Sequence, residues 1–200
     1  MNATILSNNE KHYPVLLKEI LSIISPQNGG TFIDCTFGQG GYSQSILKFS
    51  KTKVIALDRD IDCKRVAENL ERKNKKRFTF YNKKFGDIDQ INYEDLKVRG
   101  IIFDLGYSYT QIKDPKKGLS FENSGLLNMR MGINEFTASD VVNKLEQKDL
   151  ELIFKFFGDE KKSKIISKKI VLERSRGLID TQKLVKIINS SKKNNNKKIH

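Results

Sequence analysis

Two hundred residues, 38% hydrophobic and 30% charged, suffice for one globular domain, or one domain with a small companion, around a buried core. The longest apolar run, Val54 to Leu57, is too short to span a bilayer, and the first dozen residues lack the basic start and apolar stretch of a secretory signal, so a cytoplasmic protein is expected. The net charge of +13 is uneven: residues 151–200 hold 14 Lys+Arg against 5 Asp+Glu, a net of +9 that leaves +4 for the first 150. That asymmetry suits a polyanion-binding segment beside a more neutral domain, although a chain rich in both Lys and Asn is basic for compositional reasons as well.

Pro14 suits the first turn of a helix, where its missing N–H costs nothing, and Leu17, Ile20, Leu21 and Ile24 follow at helical spacing. Thr31 to Thr36 reads as a strand running into the turn Gly38-Gln39-Gly40-Gly41, and Ser43 to Phe49 as a short helix. Lys53 to Leu57 is a second strand, closing on Asp58 and Asp60. Val66, Ala67 and Leu70 mark a helix, Phe78 to Tyr81 a third strand, and Gly100 to Phe103 a fourth that ends at Asp104. Short apolar strands alternating with helices predict an α/β fold with a parallel sheet. From Ile112 to Ile133 the chain reads as loop, and beyond it only helices are predicted. Ala138, Val141, Val142 and Leu145 form one. Leu150, Ile153, Phe154 and Phe157 form the next, stopped by Gly158. A basic helix spans Ile165 to Arg174, and a last one, capped by Thr181, carries Leu184, Val185 and Ile188. The stretch from Lys192 to Lys198 is of low complexity. Cys35 and Cys63 form no CxxC pair, and only His12 and His200 accompany them as soft ligands. Reduced, partly buried thiols are expected rather than a metal site or a disulfide.

The strongest chemical signal is a strand, a glycine turn, a helix, then an acid closing the next strand. Glycines at 38, 40 and 41 let backbone approach a ligand, and the helix that follows offers free N–H groups. Asp58, twenty residues beyond Gly38, stands where a carboxylate can hold both hydroxyls of an adenosine ribose. A nicotinamide fingerprint wants glycine at position 43, which is serine. Asp34 before the turn suits S-adenosylmethionine better, because the ammonium of its amino-acid end needs an acceptor. A tight strand–helix connection with no ligand is the plainer alternative. Asp104 sits where open parallel sheets carry reactive groups, beyond the carboxyl end of a strand, although an aspartate there also caps loops. Phe85 is placed either against the adenine or in the core.

Taken together, these segments resemble a bacterial, MraW-like family of S-adenosylmethionine-dependent methyltransferases that modify N4 of a cytidine in 16S rRNA. His12-Tyr-Pro-Val-Leu-Leu-Lys-Glu19 is similar to the family's His-x-x-Val-Leu-Leu-x-Glu. Asp34-Cys-Thr-Phe-Gly-Gln-Gly-Gly-Tyr-Ser43 is similar to its cofactor turn, and Ala56-Leu-Asp-Arg-Asp60 to its second-strand acid. Asp104-Leu-Gly-Tyr-Ser-Tyr-Thr-Gln111 resembles Asp-Leu-Gly-x-Ser-Ser-x-Gln, and Gly118-Leu-Ser-Phe121, Leu127-Asn-Met-Arg-Met131 and Phe157-Gly-Asp-Glu160 resemble three later signatures. The resemblance implies a Rossmann-like class I methyltransferase sheet, of which the first four parallel strands are present, with an inserted all-α domain. The domains would be a cofactor-binding part over residues 1–111 and a basic helical part over 112–200. It also implies S-adenosylmethionine as cofactor, no metal, 16S rRNA or the small ribosomal subunit as partner, and a protein with which a homodimer is compatible. Carried over by position, Gly40, Gly41, Tyr42, Asp58, Phe85, Asp104 and Gln111 would contact the cofactor, joining Gly38 from the spacing argument, and Asp104 is the candidate catalytic group.

Three residues depart from the pattern. Tyr107 and Tyr109 stand where the family has small or aliphatic side chains, and Asn128 replaces an aspartate. The end at Lys198-Ile-His200 resembles the opening of the family's Lys-x-His-Pro segment, and the Ser-Phe-His-Ser signature does not follow, so a fragment or a shortened form is expected, with an unpaired edge on the fourth strand. Two rival readings accompany the methyltransferase: a non-catalytic RNA-binding remnant of the family, and a nicotinamide-linked oxidoreductase, which Ser43 disfavours.

Overall fold

The computed structural model describes residues 14–92, 96–107, 109–122 and 124–192, with Tyr109 and Thr110 described by their backbone alone. His12 of the opening segment, Ser108, the ring of Tyr109 and residues 193–200 therefore lie outside the description. The chain divides into two compact units, residues 1–106 and 107–200.

The first unit is a four-stranded, wholly parallel sheet in the order β3-β2-β1-β4, built from β1 (Gly30–Asp34), β2 (Thr52–Leu57), β3 (Phe78–Tyr81) and β4 (Val98–Ile102). This is the parallel α/β sheet that the alternation of strands and helices predicts, and the Rossmann-like sheet that the family resemblance implies. Strands covered on both faces need apolar residues at nearly every position, and β1 and β2 supply them. Phe32, Val54, Ala56, Phe78 and Ile102 point to one face, and Ile33, Cys35, Ile55 and Leu57 to the other. The first face packs against α1 (Leu17–Ile24), α2 (Gly41–Ile46) and α3 (Lys64–Lys73). Both crossovers, β1 to β2 and β2 to β3, step the same way along the sheet, so right-handed connections place α2 and α3 on the same side. The connection from β3 returns past β1 to β4 and lies on the opposite face, where a kinked 3-10 segment over Phe85–Gln90 leads to the buried Ile91. The sheet therefore reverses its winding between β1 and β4. Open α/β sheets bind their ligands at such a switch point, outside the carboxyl ends of the strands.

Several boundaries differ from expectation: α2 spans Gly41–Ile46 rather than Ser43 to Phe49, β2 begins one residue early at Thr52, and β4 ends at Ile102. β1 stops at Asp34, not Thr36, because the Thr36 N–H turns back to Asp34 Oδ1 at 3.3 Å. β4 begins at Val98, two residues early, through its pairing with Thr31.

The second unit holds α4 (Tyr109–Lys113), α5 (Ala138–Lys144), α6 (Gln147–Phe156), α7 (Ser163–Arg174) and α8 (Thr181–Ser191). Its own core gathers Leu127, Val142, Leu150, Ile166, Ile170, Ile179 and Ile187. Asn143 makes a reciprocal pair with the Ile179 backbone, donating to its carbonyl at 3.1 Å and accepting from its N–H at 2.8 Å. The cap of α8 is Asp180, whose side chain accepts the Lys183 N–H, and not Thr181. The Thr181 hydroxyl instead donates to the Gly125 carbonyl at 2.9 Å, tying the 112–133 loop to the helices. Asn128 uses the donor that an aspartate lacks: its amide reaches the Lys116 carbonyl at 2.9 Å while its oxygen accepts from Arg130. Among the described residues no helix is long and apolar enough to cross a membrane.

Candidate active site

The turn after β1 is closed by the acid that ends β2. Asp58 Oδ2 accepts the Gly38 N–H at 2.7 Å, and Oδ1 accepts the Asp60 N–H at 2.8 Å. The Cys63 side chain is hydrogen-bonded to Asp58 as well, so of about four acceptor sites on the carboxylate only part remains for a ligand. Asn82 fixes the same residue from behind, donating to the Asp58 carbonyl at 2.8 Å. Asp58 is thus aimed at the glycine turn.

The three glycines serve different ends. Gly38 adopts φ 51, and a Cβ there would find nothing nearer than the Thr36 carbonyl at 3.9 Å, so the space before it is open. Gly40 also has a left-handed φ, 75, and a Cβ there would strike the Phe37 ring at 2.8 Å. Gly41 is demanded by Pro14, whose Cγ a Cβ would meet at 2.2 Å. Close approach by the protein itself therefore accounts for positions 40 and 41.

Asp34 differs from its expected role. The side chain is 0% exposed, and its oxygens are engaged by the Ser43 hydroxyl at 2.7 Å and the Thr36 N–H at 3.3 Å. It holds the turn from within, out of reach of a ligand's ammonium. Ser43, read from sequence only as a missing glycine, is its principal partner. Burial raises the Asp34 carboxyl from an ordinary 3.8 to about 6, against the opposing bonds from Ser43 and Thr36 and with a smaller push from Asp58. A carboxyl whose pKa is higher folded than unfolded binds more protons in the folded state between those values. Its contribution to stability is complete below about 3.8 and is lost as pH rises through about 6. The rise corresponds to about 3 kcal/mol. Thermal melts of the wild type and Asp34→Asn should therefore diverge with pH, the wild type losing ground to the variant from pH 4 to 7. A constant difference would show that burial does not govern this carboxyl.

Asp104 follows β4, across the switch point from β1. Its N–H donates to Thr36 Oγ1 at 2.7 Å, so one threonine joins the glycine turn to the fourth-strand loop. The Tyr42 ring is buried against the sheet, with its hydroxyl donating to the Val15 carbonyl. Burial first, then the carboxylates of Asp104 and Asp34, push that phenol above its ordinary value. Phe85 is not a core residue. It is 43% exposed and meets the 50% exposed Phe103 edge-on, with ring centroids 5.6 Å apart. Gln111 lies in α4, in the second unit. Cys35 and Cys63 are free and buried, and burial pushes the Cys35 thiol up to about 11 and the Cys63 thiol well above its ordinary value.

Thr36, Ser43, Asn82 and Phe103 do not stand out in the sequence as site residues. Thr36 and Ser43 carry a recognisable signal, short hydroxyl side chains bracketing a glycine turn that opens on an acid. Asn82 and Phe103 carry none beyond following a strand.

Charge at this end of the sheet has one prevailing sign. Among the described residues of the turns and 3-10 segments that directly follow the four strands, the acids Asp58, Asp60, Asp62, Asp87, Asp89 and Asp104 outnumber the cations Arg59, Lys83 and Lys84, with Asp34 buried at the end of β1. Such an end favours a cationic ligand over a phosphate-bearing one.

The sequence profile of the MraW methylase family matches residues 9–200. The ribosomal RNA small subunit methyltransferase H of Rickettsia bellii strain OSU 85-389 is 40% identical over 182 residues, which are 90% of this chain and 59% of that protein. Its namesake in Ehrlichia ruminantium strain Gardel is 40% identical over 184 residues, covering 90% and 61%, and that of Zymomonas mobilis is 39% identical over 182 residues, covering 90% and 54%. The chain spans about three-fifths of the length of the curated relatives it matches.

Proposed function

Because the chain belongs to the MraW methylase family, we propose that it serves S-adenosylmethionine-dependent methylation of N4 of a cytidine in small-subunit rRNA. The observation that carries this reading is the Asp58 carboxylate closing the glycine turn at the switch point. The residues present fit the cofactor. Asp58 keeps acceptor capacity toward the ribose, the space before Gly38 is open, and Phe85 with Phe103 offers an exposed aromatic edge for adenine. The acidic end suits a sulfonium cation and opposes the pyrophosphate of a nicotinamide dinucleotide.

The cofactor supplies a methyl group on a positively charged sulfur. The protein's part is placement. The exocyclic amine of cytosine is a poor nucleophile, because its lone pair is delocalised into the ring. An acceptor on its N–H restores nucleophilicity, and alignment of nitrogen with the methyl group removes most of the entropic barrier. Asp104, at the mouth and anchored through Thr36, is the candidate acceptor. Its role is to orient the amine and receive its hydrogen bond, rather than to act as a strong base. Asp34 and Ser43 keep the turn in shape beneath the ligand. The base must leave its stack to enter such a site, and the lysines of α7 and α8 are suited to the phosphates flanking it.

Two measurements test this together. Calorimetric titration should give saturable binding of S-adenosylmethionine and none of NADH at the same concentrations. Tritiated methyl groups transferred to small-subunit rRNA should appear, after digestion to nucleosides, as N4-methylcytidine. Label at C5 or on another base would overturn the substrate assignment, and NADH binding would overturn the cofactor.

A further inference from the structure

Two consecutive phenylalanines at the end of α6 stand in water within the most basic part of the chain, and methyl transfer leaves them without a task. Phe156 is 66% exposed and Phe157, which follows α6 as its C-cap, is 88% exposed. The turn that carries them is pinned. The Phe157 N–H donates to the Ile153 carbonyl at 3.0 Å, the Glu160 N–H to the Phe154 carbonyl at 3.0 Å, and the Ser163 N–H to the Glu160 carbonyl at 3.2 Å. The Glu160 carboxylate is paired with Lys192 at 2.6 Å and accepts the Lys162 N–H at 2.9 Å. Asp159 is held at φ 47, a conformation a non-glycine residue keeps only when its surroundings impose it. The ring at 157 is therefore presented by a fixed turn.

The segments on either side of the two rings are rich in cations. The Lys155 ammonium lies 5.3 Å from the centroid of the Phe156 ring, and Lys161, Lys164 and Lys168 are exposed on the turn and the first half of α7. Of the acids in this stretch, Glu160 is engaged by Lys192 and Glu173 by Arg176, which leaves Asp159 on the turn. An apolar protein surface laid over the two rings would have to desolvate these ammonium groups. An unpaired nucleotide instead offers a flat base to the ring and a phosphate to the lysines, the combination found where single strands are bound. A duplex offers the phosphates but hides the base faces.

We propose that Phe157, with Phe156 beside it, is a stacking platform for an unpaired RNA base whose flanking phosphates are held by Lys155, Lys161 and Lys164. This deepens the proposed function, resting on its RNA substrate, and names the form of that RNA at this surface as single-stranded.

The test is binding of a short single-stranded RNA carrying one 2-aminopurine, read by its fluorescence. The chain contains no tryptophan to interfere. Phe157→Ala should weaken binding about five- to hundred-fold and abolish the stacking quench, while leaving the salt dependence unchanged. Phe157→Tyr, which keeps a stacking ring without adding an indole, should restore both affinity and quench. Lys161→Glu with Lys164→Glu should instead lower the slope of log affinity against log salt by roughly 0.7 for each phosphate no longer neutralised. A duplex of the same sequence should be indifferent to position 157. Affinity of Phe157→Ala within twofold of wild type overturns the platform, as does a concentration-dependent dimer that the substitution abolishes, which would assign the rings to a second copy. Calorimetry with S-adenosylmethionine on the same preparations separates the two ideas. Cofactor binding together with RNA affinity that Phe157→Ala leaves unchanged sinks only the platform, whereas stacking quench without cofactor binding sinks the methyltransferase reading.

Discussion

Replacing Asp58 by alanine should weaken S-adenosylmethionine binding by about two to three orders of magnitude in calorimetry. A hydrogen bond to a charged group is worth about 1.5–3 kcal/mol, and two ribose hydroxyls share this carboxylate in the proposed complex. Each 1.4 kcal/mol is tenfold in affinity. The substitution also strips acceptors from the Gly38 and Asp60 N–H groups, so a loosened turn has to be separated from a missing bond to the ligand. A cofactor analogue without the two ribose hydroxyls makes the separation. Wild type should bind it far less tightly than S-adenosylmethionine, and Asp58→Ala should scarcely distinguish the two, a coupling that a purely structural defect would not produce. Equal discrimination in both proteins would remove the ribose from Asp58.

The second large effect is expected at Asp104. Asp104→Ala should lower the rate of methyl transfer to rRNA about 100- to 1000-fold, the range seen when one preorganised polar group is removed from a reacting centre. Cofactor affinity should fall less than in Asp58→Ala. Both variants keep the backbone anchor to Thr36, but Asp104→Asn also keeps an acceptor oxygen, so it should retain more activity than alanine. Wild-type rates in Asp104→Ala would leave the acceptor role to backbone carbonyls.

Much of the α/β unit is legible because its strands carry their own evidence. Phe32-Ile33 and Val54 to Leu57 are apolar without alternation, which only a strand covered on both faces requires. The β3-β2-β1-β4 order follows from short crossovers and their hand. The site is legible in part. Spacing locates Asp58 at the turn, but no spacing rule distinguishes a glycine needed by a ligand from one needed by Pro14, which lies 27 residues upstream of Gly41. Asp34 escapes sequence reasoning for a related reason. Its partner Ser43 is nine residues away, and burial of an acid is a property of the packed unit. In the helical unit, helical spacing places Phe157 with Leu150, Ile153 and Phe154 on one apolar face. The helix ends one residue earlier, the backbone turns, and the ring points to water while Leu150 fills the core. The 3-10 segment over Phe85–Gln90 leaves no trace in the sequence because Gly86 and alternating acids give it no helical period.

The excess of aspartates in the segments after the strands has a consequence for turnover. Carboxylates that draw in a positively charged sulfur exert no such pull on the neutral thioether left after the methyl group departs. At separations of several ångströms near a protein surface, that vanished attraction is of order 1 kcal/mol per nearby carboxylate before screening. In the proposed reaction the same aspartates would therefore hold the spent molecule more weakly than the methyl donor, and raised salt should narrow the gap between the two affinities.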